Sequence, residues 1–504
     1  MTATLSQTWT IIQHPLMLPI EVCVLAGFLA YVAARRFKRF SAAVSMIASF
    51  VTLVLAIRLF TGQKMAIDMS WLAIDGFELA VAMSNRTFGA MIAMVAACFG
   101  LLVSLYALSN EKDKRDEGRF HAFLCWALAG TVGVALADDL IWLLLCWELV
   151  SVCLYMLLNQ QGGESPAGAA KSFVMLGFAD ACLLLAVAFL AATQGTTRIA
   201  ELAIPIGSST SYVCYLLFVI AALAKAGAFP LHSWIPAAAS DASASTFAFL
   251  PASIDKLLGT YLLVRVSFGV FELDHVMQIV LMVIGAVTVL SASMAALVQT
   301  NLKRSIAYLA ISSTGYIVLA VGAGTPIALA GAIFHAVNGA IYQACLFFGA
   351  GNVEHVTGTS RLDRLGALGH ALPGTMLCFI IAALAISGVP PLNGFVSKWL
   401  IYQGCLATGS SLAIFCLVVM VFGSALALAA SFKLIASIFF GTSPVDLRSD
   451  QMPANGSWAT MVPMIVLAAT CIAFGVVAVW PLQHLILPVL ADARNHGYQC
   501  CYGR

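Results

Sequence analysis

Apolar runs of about 20 residues recur along the whole chain, each long enough to cross a hydrocarbon layer of roughly 30 Å as an α-helix. They predict about 14 spans, near residues 16–34, 41–61, 87–108, 120–138, 140–158, 170–193, 211–229, 243–268, 274–297, 305–323, 327–350, 371–404, 411–440 and 457–482. Polar residues gather between these runs, and few fall within them. Two runs break in the same way. Ala222-Leu223-Ala224-Lys225-Ala226-Gly227-Ala228-Phe229-Pro230-Leu231 and Ala383-Leu384-Ala385-Ile386-Ser387-Gly388-Val389-Pro390-Pro391-Leu392 share six of ten positions. Proline removes a backbone donor and clashes with the preceding turn, so both helices are expected to break at Gly227/Pro230 and at Gly388/Pro390/Pro391. Matching Gly/Pro interruptions in two halves mark a repeat-built transporter whose site lies at the broken helices.

Composition agrees with a polytopic membrane protein. The chain is 61% hydrophobic and 10% charged, where a soluble domain carries about 25% charged residues. A net charge of +2 gives no reason to expect a nucleic-acid partner. The 14 cysteines stand mostly alone in apolar segments, without CxxC or any zinc or iron–sulfur spacing, so no cofactor or metal is expected. Cys500-Cys501 is a candidate for oxidation or lipidation. Residues 1–13 lack the basic start and cleavage site of a signal peptide, so the first span is expected to be retained. The charged stretch at 111–119 reads as a solvated loop within one membrane domain, 1–504.

Basic residues set an orientation. Arg35, Arg36, Lys38, Arg39, Lys112, Lys114, Arg115, Arg119, Lys303, Arg304, Arg361, Arg364 and Arg448 all fall in odd-to-even loops, and the opposite loops hold few. The positive-inside rule places those loops in the cytoplasm and both termini outside.

An ionisable side chain at membrane depth is expensive and points to function. Glu148 is centred in its span and needs a cation or a proton, and Lys225 is the expected partner. Lys256, beside Asp255, is a candidate relay residue, with Asp255 expected to orient it. The two neighbours project about 100° apart on a helix and cannot pair with each other. An unperturbed histidine titrates near neutral pH and can pass protons both ways, which makes His335 a candidate relay residue. Lys398 follows the second break, Asp180 is a candidate to tune Lys225, and His232 follows the first break. Lys171 and Lys433 read as snorkelling lysines near span ends. Each has a plain alternative: a static ion pair, a structural lysine or a satisfied core histidine.

The residues also resemble a family. Ala137-Asp138-Asp139-Leu140 through Trp147-Glu148-Leu149-Val150-Ser151, and Ala224-Lys225-Ala226-Gly227-Ala228-Phe229-Pro230-Leu231-His232-Ser233-Trp234, resemble antiporter-like subunits of respiratory complex I. Membrane-bound hydrogenases and multisubunit sodium/proton antiporters share these subunits. Leu302-Lys303-Arg304-Ser305, Phe334-His335 and Gly388-Val389-Pro390-Pro391-Leu392-Asn393-Gly394-Phe395 with Ser397-Lys398 extend the likeness over roughly residues 85 to 440. The resemblance implies 14 helices with two inverted five-helix repeats, here 120–268 and 274–440, each holding a broken helix. It places the family's buried glutamate on Glu148, its lysine on Lys225 and its second-half lysine or glutamate on Lys398. The chain departs from the pattern at Gly177, where the family has an arginine, and at Pro251, Gly339 and Gln343, where it has histidines and a lysine. Lys256 lies one residue from the helix-8 lysine of some members.

The implied function is proton translocation by an antiporter-like subunit of a redox-driven complex, of NADH-quinone oxidoreductase or membrane-bound hydrogenase type, in a cell inner membrane. Electrons would run in a partner redox module beside other membrane subunits, and the ion would be the proton or sodium. The alternatives are a subunit of a multisubunit cation/proton antiporter and the membrane subunit of an inorganic-carbon uptake complex.

Overall fold

The computed structural model describes residues 14–33, 39–74, 77–110, 114–160, 167–442 and 457–495. Cys500-Cys501, Lys112 and Arg448 lie outside the described residues.

Among the described residues, α1 (Leu18–Ala33) and α2 (Phe40–Thr61) come first, followed by an antiparallel hairpin, β1 (Ala66–Ile74) and β2 (Phe77–Ser84). The first half continues with α3 (Thr87–Asn110), α4 (Lys114–Leu136), α5 (Leu140–Leu158), α6 (Ala167–Gln194) and α7 (Ser209–Ala226). Two short helices follow, α8 (Trp234–Asp241) and α9 (Ala244–Phe249), then a π-helical turn at Leu250–Ile254 and α10 (Asp255–Arg265). The second half holds α11 (His275–Val298), α12 (Leu302–Ala323), α13 (Pro326–Thr357), α14 (Pro373–Ser387), α15 (Asn393–Ala407) and α16 (Ser411–Phe439). Last come α17 (Trp458–Val476) and α18 (Leu487–Asn495).

Among the described residues, 12 helices are long and apolar enough to cross a membrane, and Leu18–Val32 and Pro373–Ser387 are shorter apolar helices. The apolar pattern does not predict the hairpin and leaves 62–86 as a loop. The stretch expected as a loop at 111–119 is also different: α4 starts at Lys114, and Glu117 is already buried within it.

Depth in the bundle follows from side-chain size and polarity. Large apolar residues such as Leu25, Phe50, Phe173, Phe178, Phe415 and Phe422 point outward, where water would reject them and lipid or a partner helix would not. The segment 244–268 is buried throughout its length, and most of α12 and α13 is buried. Small residues let these inner helices approach closely. A Cβ on Gly315 would lie 2.8 Å from the Gly285 carbonyl oxygen, which draws α11 and α12 together. A Cβ on Gly259 would lie 2.5 Å from the Ala226 backbone nitrogen, which draws α10 onto α7.

Both expected breaks are present. Gly227 (φ 78°) and Gly388 (φ 85°) close α7 and α14 in the left-handed conformation that only glycine adopts without strain. The amides of Gly227 and Ala228 both donate to the Leu223 carbonyl, and those of Gly388 and Val389 to the Leu384 carbonyl. The bonds Phe229–Pro230 and Pro390–Pro391 are cis. Gly388→Ala would put a Cβ in this conformation at about 1–2 kcal/mol and 2.9 Å from Lys398 Cδ. The expected result is an assembled protein with a lowered melting temperature and severalfold slower transport, read by thermal denaturation and vesicle assays of the same preparation.

Candidate functional site

The five expected relay residues lie on five elements, and three of them, Lys225, His335 and Lys398, bond a serine hydroxyl. At one end, Lys225 is the penultimate residue of α7 and 1% exposed. Its ammonium lies 3.5 Å from Asp255 Oδ1, donates to Ser151 Oγ at 2.7 Å and sits 5.2 Å above the Trp147 ring. The indole nitrogen of Trp147 donates in turn to Asp180 Oδ1 at 2.7 Å.

This geometry corrects two expectations. The direct ion-pair partner of Lys225 is Asp255 and not Glu148, and Asp255 faces Lys225 instead of orienting Lys256. Close packing of α10 on α7 through Gly259 accounts for both, because it brings Asp255 onto the lysine. Glu148 lies one helical turn before Ser151 on α5, half-buried, with no cationic side chain within 4 Å among the described residues. It remains close enough to Lys225 and Asp180 to interact with both electrostatically. Glu148 borders a cleft of about 260 Å³ between α5 and α6, together with Ser151, Tyr155, Ser172, Gly177 and Asp180.

Lys256 turns the other way. Its side-chain nitrogen donates to the Ala310 carbonyl of α12 at 3.3 Å and fills a notch on α13 left by Gly339. A Cβ at Gly339 would lie 3.1 Å from Lys256 Nζ and 3.5 Å from Ser313 Oγ. Ser313 continues the line, 3.1 Å from His335 Nε2 and 2.8 Å from the Tyr342 hydroxyl. On the far side of the imidazole, Nδ1 is 2.8 Å from Ser397 Oγ. A histidine with a hydroxyl on each nitrogen can accept a proton at one and release one at the other.

Lys398, the next residue, reaches back over the second break. Its ammonium donates to the carbonyls of Ile386 at 2.9 Å and Ser387 at 3.2 Å, and to Ser424 Oγ at 3.1 Å. A cation is favoured there because the last carbonyls of α14 carry the negative end of its dipole. Tyr316 and Tyr402 complete the pocket through Ser424, and Lys398 lies 4.6 Å over the Tyr316 ring.

The remaining candidates stand apart. His232 is half-buried in the turn after α7, against Phe229, and no hydrogen bond joins it to the line among the described residues. Lys171 is exposed on α6. Lys433 donates to the carbonyls of Leu297 and Gln299 and so caps α11. No group of three or more metal-ligating side chains occurs among the described residues.

Sequence reasoning passes over Ser151, Ser313, Ser397, Ser424, Tyr316 and Tyr342. Their one signal is spacing, since Ser151 stands one turn from Glu148 and Ser397 adjoins Lys398. Gln343, in sequence a mere departure from the family pattern, is fully buried on α13, and neither end of its amide has a hydrogen-bond partner among the described residues.

Residues 137–427 match the family described as "NADH:quinone oxidoreductase/Mrp antiporter, TM". The chain belongs to this family. It is 34% identical over 423 residues to the NADH-quinone oxidoreductase subunit N of Desulforudis audaxviator, covering 80% of this chain and 83% of that one. It is 27% identical over 475 residues to a Na(+)/H(+) antiporter subunit of Bacillus subtilis, covering 92% and 94%. The fold is also that of a chain in the Mrp complex from a Dietzia species, with a TM-score of 0.85 at 23% identity, over 97% of this chain and 54% of that one. The family member described here is thus a multi-pass, antiporter-like membrane subunit. The matched region holds Glu148, Lys225, Asp255, Lys256, His335 and Lys398.

Proposed function

We propose that this chain translocates protons as one membrane subunit of a larger complex in a cell inner membrane, driven by redox chemistry in a partner module. The observation that carries the reading is the line of charged and hydroxyl groups running from Lys225 through Lys256, Ser313, His335 and Ser397 to Lys398. It runs through an interior built mainly of apolar side chains, where each unpaired polar group costs several kcal/mol. The residues at 120–268 and 274–440 act as inverted repeats, one holding Lys225 before its break and the other Lys398 after its break. Basic loops face the cytoplasm and both termini face outward.

The work is electrostatic. Moving one charge against 100 mV requires about 2.3 kcal/mol, which a change of ion-pair partner inside the membrane can supply. A charge arriving in a neighbouring subunit shifts the Glu148–Lys225–Asp255 group. Lys256 answers through its place beside Asp255, and the Ser313–His335–Ser397 bridge carries the proton to the Lys398 pocket. The B. subtilis relative supports a second reading, exchange of a cation for protons without a redox module.

The test is His335→Phe, assayed for vesicle acidification in the assembled complex. The expected result is a loss of proton movement of about tenfold or more, or 1.4 kcal/mol on the rate-limiting step. Transport at the parental rate would remove the bridge between the halves. Repeating the assay with and without sodium, and with and without an electron donor, separates the two readings.

A further inference from the structure

Lys225 is flanked by two carboxylates on different helices. Asp255 on α10 holds it at 3.5 Å, and Ser151 on α5 holds the same ammonium at 2.7 Å, one turn from Glu148. The two sides are not equivalent. Asp255 is 0% exposed, with neither oxygen receiving a hydrogen bond, so Lys225 is its one charge partner among the described residues. Glu148 borders the cleft and has no cation within 4 Å among the described residues. A lysine side chain has four rotatable bonds, so its ammonium can cross between the two while α7 stays fixed. The Trp147 ring supplies a surface over which a cation can pass.

We infer that Asp255 is a functional carboxylate, the inner stop of a two-position switch in which the Lys225 ammonium alternates between Asp255 and Glu148. This inference rests on the relay reading and adds to it a residue that the sequence pattern assigns no more than a supporting part. Asp255 and Lys256 are consecutive on one fully buried helix, with Asp255 facing α7 and Lys256 facing α12 and α13. With Lys225 on Asp255, the local charge is balanced and Lys256 has no net negative neighbour. With Lys225 on Glu148, Asp255 is left negative beside Lys256 and holds a proton on its amine. The return of Lys225 cancels that hold, and the Lys256 ammonium releases its proton toward Ser313 and His335, becoming a neutral amine. One N–H bond breaks at Lys256 and one forms at His335 Nε2, while the Ser313 hydroxyl takes up one proton and gives up its own, so protons balance.

The structure holds the inner position. The outer position is the one in which the cleft carboxylate is paired, and a charge in a neighbouring subunit can select it.

The experiment compares Asp255→Asn, Asp255→Glu and Lys225→Ala in the complete complex in native membrane vesicles. Proton transport and infrared difference spectra of carboxyl groups are recorded during turnover. Asp255→Asn is expected to lower transport at least about tenfold with the complex assembled, and Asp255→Glu to restore a large part of it. The difference spectrum is expected to lose a carboxylate band in Asp255→Asn. If Asp255→Asn fails to assemble, the Glu variant and the spectrum of the parent complex decide: no carboxylate band that moves when Asp255 becomes Glu ends the switch. Parental transport in Asp255→Asn with loss in Lys225→Ala would overturn the switch and leave the relay standing. Parental transport in Lys225→Ala would overturn the relay as well.

Discussion

Lys225→Ala is expected to abolish proton transport and to lower the amount of assembled complex. Asp255 would lose its cation at 0% exposure, with no other donor bonded to it among the described residues. Breaking a buried pair by removing one member destabilises by about 3–5 kcal/mol, because the remaining charge stays in a low dielectric. Ser151 and the Trp147 ring would also lose their contacts with the ammonium. Native gels would report assembly, and a pH-sensitive dye in sealed vesicles would report transport. Lys225→Ala with Asp255→Ala removes the stranded charge, so assembly should recover while transport stays lost. Two losses of assembly that simply added would show that the residues do not act as a pair.

The second large effect is expected at Lys256. Its ammonium occupies a space bounded by the Ala310 carbonyl, Ser313 and the bare backbone of Gly339. Lys256→Met keeps most of the side-chain volume but cannot bind a proton, and transport should fall by at least about tenfold. Lys256→Arg keeps the charge but adds a planar fork that does not fit the notch and is always protonated. Its transport should therefore fall to the same low level, and its assembly should fall below that of Lys256→Met. An arginine variant that pumps at the parental rate would mean that fixed positive charge suffices at this position. The proton would then bypass the lysine.

Much of the architecture can be read from the sequence because membrane solvent imposes simple rules. Spans follow from apolar run length, the breaks from Gly227/Pro230 and Gly388/Pro390/Pro391, and the candidate site from charges that lipid would reject. Glu148, Lys225, Lys256, His335 and Lys398 are all conspicuous on that ground. Pairing is not legible in the same way. Whether Asp255 or Glu148 meets Lys225 depends on the rotation of α10, which the π-turn at Leu250–Ile254 and the contact at Gly259 determine. Neither is visible as a periodicity. The serines joining the line are also silent, because Ser and Thr in apolar helices commonly bond back to their own carbonyls, as Ser172 and Thr131 do here. Only their neighbours in space separate Ser313 and Ser397 from that background. The hairpin at 66–84 is hidden in the sequence because its strands adjoin long apolar helices and carry weak alternation.

The notch at Gly339 ties two distant positions into one choice. The lysine head occupies the volume that a side chain on α13 would fill, so neither residue can change size alone. A histidine at 339 would call for a shorter or differently aimed residue at 256, while the glycine there accommodates the long amine. Among related chains the two positions should therefore vary in step, with bulk moving from one helix to the other. A relay can in this way change its chemical identity from imidazole to amine while the cavity that houses it keeps the same size.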